Sequence, residues 1–134
     1  MRRKMNVLLV SESRNTLAQL EQILNEIDDL AIVGVALNGA AAIRMTNESK
    51  PDLVLMDLEL PGLRALSALR TIRSMHPAVE VAMVSAASGH NPAWAEALKI
   101  GACEVIDKPF DADEFESLVE DVRTGFQAGF STLD

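Results

Sequence analysis

The stretch Pro51-Asp52-Leu53-Val54-Leu55-Met56-Asp57-Leu58-Glu59-Leu60-Pro61-Gly62 decides the fold. Leu53 to Met56 are four consecutive apolar residues, with no polar position alternating between them. A strand built from them has no face suited to water, which is the pattern of a parallel sheet covered on both sides by helices. The run stops on a carboxylate, Asp57, and a Pro61-Gly62 turn follows. Asp57 therefore stands at the C-terminal end of a buried strand.

Four similar runs flank this one: Val7 to Val10, Ala31 to Leu37, Val79 to Ser85, and the short Glu104-Val105-Ile106. Amphipathic stretches lie between them. Leu17, Leu20, Ile23, Leu24 and Ile27 share one helical face, opposite Gln19, Glu21, Gln22 and Glu26. Leu66, Leu69 and Ile72 repeat the pattern after the Pro-Gly turn. Pro92 opens a helix that runs through Ile100 and closes at Gly101, as proline and glycine favour. Asp111-Ala112-Asp113-Glu114 starts the last helix with acids where the helix dipole favours them, and Leu118, Val119 and Val122 form its apolar stripe. Five strand–helix units without a linker predict a doubly wound α/β domain. The second strand, flanked by the most polar residues, is expected at an edge. The domain is expected over 5–125. From Gly125 the periodicity fails, so 126–134 reads as a tail or the start of a linker.

The chain has 134 residues, enough for one domain with a core, and 49% of them are hydrophobic. A net charge of −8 argues against nucleic acid or an anionic membrane as a direct partner. The N-terminal apolar run is too short for a signal peptide or a membrane span. A lone cysteine, Cys103, excludes an internal disulfide and suits a reducing cytoplasm. With only two histidines, His76 and His90, in unrelated loops, a zinc site is not expected.

Ligands of open α/β sheets bind beyond the C-terminal strand ends. Those ends carry Ser11-Glu12, Asp57, Ser85 and Asp107-Lys108-Pro109. Together they suit phosphoryl transfer. An aspartate can attack phosphorus and form an acyl phosphate. Lys108 supplies a mobile positive charge and Ser85 a hydroxyl donor. A hard cation such as Mg²⁺ takes oxygen ligands from one or two carboxylates plus phosphate. Taken singly, each residue has a plainer role: Asp57 as a helix cap, Lys108 as a solvated loop lysine, Ser85 as a turn residue, Glu12 as a first-turn acid. Their convergence on one sheet edge favours the chemical reading. A flavodoxin-type phosphate loop is not matched, because Ser11 to Thr16 contain no glycine. A dehalogenase-type phosphatase is a poor match, with Glu59 in mid-chain where a second Asp is wanted early.

Three blocks in order resemble the receiver domains of response regulators: the opening stretch around Asp57, Val81-Ala82-Met83-Val84-Ser85-Ala86, and Gly101-Ala102 followed by Ile106-Asp107-Lys108-Pro109-Phe110. The Asp57 and Ser85 blocks are most similar to the receiver half of chemotaxis methylesterases. The resemblance implies a flavodoxin-like (βα)5 sheet of order 2-1-3-4-5. It implies Asp57 as phosphoacceptor, Ser85 as switch hydroxyl and Lys108 as phosphate contact, with Lys108-Pro109 often cis. It also implies a histidine kinase or phosphotransfer protein as donor, a downstream protein or fused output domain as recipient, and a signalling role rather than an enzymatic one. A homodimer is left open.

Three positions depart from the family pattern. Ser11-Glu12 replaces a pair of acids, so Mg²⁺ at Glu12, Asp57, Glu59 and, weakly, Ser11 is expected to bind less tightly than usual. One missing charge costs at most ~4 kcal/mol at an effective dielectric of 20, and a loss of ~1.4 kcal/mol is already tenfold. Val105 stands where the family has a switch aromatic. Arg64-Ala65 stands where Asp-Gly is common, and Ala tolerates positive φ poorly. These departures motivate a rival expectation: a degenerate receiver that binds proteins without phosphorylation. Trp94, the single tryptophan, is expected as a half-buried packing residue on the fourth helix. Cys103 is expected to behave as a small core hydrophobe, and Glu59 to line the pocket and tune hydrolysis of the acyl phosphate.

Overall fold

A computed structural model describes residues 3–61, 64–85 and 92–125. Strands β1 (Met5–Val10), β2 (Leu30–Ala36), β3 (Leu53–Asp57), β4 (Glu80–Ser85) and β5 (Glu104–Asp107) alternate with helices α1 (Arg14–Asn25), α2 (Gly39–Ser49), α3 (Arg64–Met75), α4 (Ala93–Ile100) and α5 (Ala112–Thr124). The strands form one parallel sheet in the order β2-β1-β3-β4-β5. The expected doubly wound, flavodoxin-like architecture is therefore observed, with β2 at an edge.

Strand alternation builds two cores. Leu8, Val10, Val54, Met56, Val81 and Met83 point to the side covered by α2, α3 and α4. Val7, Leu9, Leu53, Leu55, Ala82 and Val84 point to the side covered by α1 and α5. Both faces of β3 are filled, which is why its sequence is an unbroken apolar run.

The helix ends follow local chemistry. Ser13 caps α1 by accepting from the Thr16 N–H, Asn38 caps α2 through Ala41, and Asp111 caps α5 through Asp113. Pro92 precedes α4 and Gly101, at φ 133°, ends it. Strand ends differ by one or two residues from the sequence-based expectation, and so does the Arg64-Ala65 position. Strand β5 runs one residue further, to Asp107. Arg64 and Ala65 open α3, and Ala65 is buried in helical conformation, so no positive φ is demanded of it. The Lys108-Pro109 bond is cis. The tail at 126–134 lies outside the described residues.

Candidate functional site

Parallel pairing brings the ends of β1, β3, β4 and β5 to one edge. Asp57 closes β3 and is 4% exposed. Its Oδ2 accepts a 2.8 Å bond from the Ser11 hydroxyl, and its Oδ1 a 2.9 Å bond from the Glu59 N–H. Ser11 follows β1, is fully buried, and also accepts from the Ser13 N–H at 3.0 Å. The short β1–α1 connection thereby fixes the hydroxyl over the carboxylate. Ser85, at the end of β4, donates to Glu59 Oε2 at 2.7 Å. Ser11, Asp57, Glu59 and Ser85 thus form one connected set.

Burial raises the Asp57 pKa above its ordinary value, because the ionised form loses hydration. The Glu59 N–H and then the Ser11 hydroxyl act against this by stabilising the anion, and the Glu59 charge adds to the rise. Asp57 is therefore a basic carboxylate, held in place by two donors and still offering lone pairs.

Lys108 follows β5, and its N–H donates to the Ser85 carbonyl at 3.0 Å. It lines a cleft of about 270 Å³ with Gln19, Gln22, Ile23, Pro109 and Phe110. Lys108 lies at the expected edge, where it also borders this cleft beside α1. Glu12 is exposed at the end of β1.

Among the described residues, no three His, Cys, Asp or Glu side chains cluster closely enough to hold a metal ion. The donors that do converge are all oxygens, two of them carboxylates and two of them hydroxyls, which suits a hard cation over a soft one. The fit is to a site of low charge, since the buried position on β1 is a neutral serine. Among the described residues, no helix is long and apolar enough to cross a membrane.

A contact made by α4 was not foreseen from the sequence. Trp94 on α4 is half-buried against the α2–α4 core, and its Nε1–H donates to Asp107 Oδ1 at 3.2 Å. In the sequence Asp107 stands out only as the neighbour of Lys108. The available signal is alternation in β5: Val105 faces the α4 core, so Asp107, two residues on, faces the same way. Cys103 packs against the α1–α5 core, and burial pushes its thiol up to about 12.

Comparison with known proteins agrees with this architecture. The family model of the response regulator receiver domain matches residues 7–120. A protein-glutamate methylesterase/protein-glutamine glutaminase of Saccharophagus degradans is 38% identical over 113 residues, covering 84% of this chain and 31% of its own length. A like-named protein of Pyrococcus horikoshii is 38% identical over 110 residues, 81% of this chain and 30% of its own. The chain thus spans about a third of the length of these relatives. Among solved structures, the response regulator domain of CheB from Thermotoga maritima superimposes with a TM-score of 0.75 at 32% identity, covering 91% of this chain and 96% of that one. The CheY of a CheX–CheY–BeF3–Mg complex from Borrelia burgdorferi gives 0.77 at 28% identity, covering 88% of each chain. Receiver domains are signalling domains that bind Mg²⁺ at an acidic pocket and interact with histidine kinases or phosphotransfer proteins and with output domains. With this sheet order, this strand-end pocket and a family match over most of its length, the chain belongs to the response regulator receiver domains of two-component signalling.

Proposed function

We propose that Asp57 is the phosphoacceptor of this receiver. The observation that carries the proposal is the buried Asp57 carboxylate, oriented by Ser11 at 2.8 Å and the Glu59 N–H at 2.9 Å and made more basic by burial. A carboxylate oxygen of Asp57 forms the O–P bond as the N–P bond of a phosphohistidine breaks. The electron pair returns to the imidazole nitrogen, which then takes a proton. Holding the carboxylate in one orientation removes part of the entropic barrier to this transfer.

The Ser85 hydroxyl leaves Glu59 to donate to a phosphoryl oxygen, and the Lys108 ammonium donates to another. Asp57, Glu12 and Glu59 would hold Mg²⁺, with the Ser11 hydroxyl in place of an acid. When bound, the ion neutralises charge on the phosphoryl oxygens. Glu59 tunes the lifetime of the acyl phosphate from the position its Ser85 contact gives it.

The donor is a histidine kinase or phosphotransfer protein, and the recipient is a downstream protein or an output domain. The relatives' names point to a methylesterase-type output for a longer protein of this kind. The site lies in the cytoplasm, where such donors act.

The test is acetyl phosphate or beryllofluoride with Mg²⁺, applied to wild type and Asp57→Ala. Wild type gains one phosphoryl mass or one bound beryllofluoride, and the variant gains neither. No modification of either protein would replace this reading with a phosphorylation-independent interaction module.

A further inference from the structure

The end of β5 is tied to the Asp57 pocket on two sides. Across the sheet, Asp107 pairs in register with Ser85. Along the chain, Asp107 precedes Lys108, whose N–H is bonded to the Ser85 carbonyl at 3.0 Å. The Ser85 hydroxyl is itself bonded to Glu59, whose N–H holds Asp57. On the other side, the α4 face of β5 presents Val105 and Asp107. Val105 has no polar atom. Asp107 bonds the Trp94 indole at 3.2 Å, at the long end of the normal N–H···O range. A displacement well under an ångström at either partner breaks such a bond.

We propose that Trp94 reads the state of the Asp57 pocket through its hydrogen bond to Asp107, and passes it to helix α4. Trp94 is a positioning residue and touches no reacting atom. This inference rests on the phosphoacceptor reading. When a phosphoryl group draws the Ser85 hydroxyl and the Lys108 ammonium to itself, both residues flanking Asp107 move. The Asp107 carboxylate shifts with them and the indole loses or re-aims its acceptor. Helix α4 is suited to respond, because Ala97 is its only fully buried side chain. Its hold on the sheet therefore depends on half-buried Trp94 and its neighbours.

The experiment uses the fact that Trp94 is the only tryptophan. Indole emission is recorded as beryllofluoride is added with Mg²⁺, while ¹⁹F NMR reports occupancy of Asp57 independently. Wild type is expected to show bound fluoride and a change in emission. Asp107→Ala is expected to bind beryllofluoride and lose the emission change. Asp107→Asn, which keeps an acceptor, is expected to recover it. If Asp107→Ala does not fold, Trp94→Phe takes its place. There the accelerated amide exchange of α4 on beryllofluoride binding, present in wild type, is expected to vanish.

Bound fluoride in wild type with unchanged emission, or an equal response in Asp107→Ala, overturns the coupling and leaves the phosphoacceptor reading standing. An unaltered α4 exchange response in Trp94→Phe overturns it in the same way. No bound fluoride in wild type overturns the phosphoacceptor reading and the coupling with it.

Discussion

Ser11 and Glu59 set the behaviour of Asp57 from opposite sides. Glu59 places a second acid at the pocket, bonded to the hydroxyl that a phosphoryl group needs. An incoming phosphoryl group meets that charge, and two unit charges about 4 Å apart near a protein surface repel by up to ~4 kcal/mol. Glu59→Ala is therefore expected to change the acyl-phosphate lifetime about tenfold, the equivalent of ~1.4 kcal/mol. Phosphoprotein mass spectrometry over time checks this, and an unchanged lifetime removes Glu59 from that role. Ser11→Asp tests the other side. It exchanges a buried donor for a like charge beside Asp57, so without metal it is expected to cost about 1–3 kcal/mol in urea unfolding. With millimolar Mg²⁺ it should regain more stability than wild type does, because only a state that binds the ion tightly is stabilised by it. Equal gains in the two proteins would show that Ser11 does not limit the metal. Much of this pocket was legible in the sequence, because strand ends are where apolar runs stop, and Ser11, Asp57, Ser85 and Lys108 all sit at such stops. The Ser85–Glu59 bond was not legible. It joins residues 26 apart in the chain through side chains whose direction no periodicity encodes.

Among the elements, α4 stands apart. Its eight residues bury only Ala97 fully, whereas α3 buries Ala65, Ala68, Leu69 and Ile72, and β3 is buried throughout. Few buried apolar contacts mean a low local opening free energy. Native-state amide exchange should therefore show α4 opening well below the global unfolding free energy, with β1, β3 and β4 approaching it. Protection of α4 equal to that of β3 would contradict this. The ends of α4 were readable, since Pro92 and Gly101 mark them by backbone chemistry alone. Its tie to β5 was only half legible: alternation along β5 turns Asp107 to the α4 side, but no spacing pattern selects Trp94 as its partner. Capping at α1 gives a second measurable increment. Ser13→Ala removes the acceptor for the Thr16 N–H and should cost about 1 kcal/mol in urea unfolding. The Ser13 backbone N–H, which steadies Ser11, is untouched by that change, so Asp57 should still be modified.

For the whole molecule, buried acids and excess negative charge act in the same direction. Asp57, Glu80 and Glu104 all have pKa values raised, in each case chiefly by burial, and against the charge of Arg73 at Glu80. A raised folded-state pKa means that, between the ordinary carboxylate value and the raised one, the folded chain holds protons the unfolded chain has released. Stability contributed by these groups is complete below the ordinary carboxylate range and is lost as pH rises through the raised values. The net charge of −8 at neutral pH adds self-repulsion of the compact state. The melting temperature at low ionic strength should therefore fall as pH rises out of the ordinary carboxylate range towards neutrality. The two causes separate with salt. Added sodium chloride screens repulsion between exposed charges over a Debye length of about 8 Å at physiological strength, and leaves desolvation of buried acids nearly untouched. Part of the pH difference should accordingly disappear in salt. The remainder should shrink in Asp57→Asn, whose amide can donate to Ser11 and accept from the Glu59 N–H without ever ionising. Scanning calorimetry across pH and salt measures all of this. A melting temperature that rises over that interval, or an Asp57→Asn protein with the wild-type pH profile at high salt, would show that burial of Asp57 does not govern its titration.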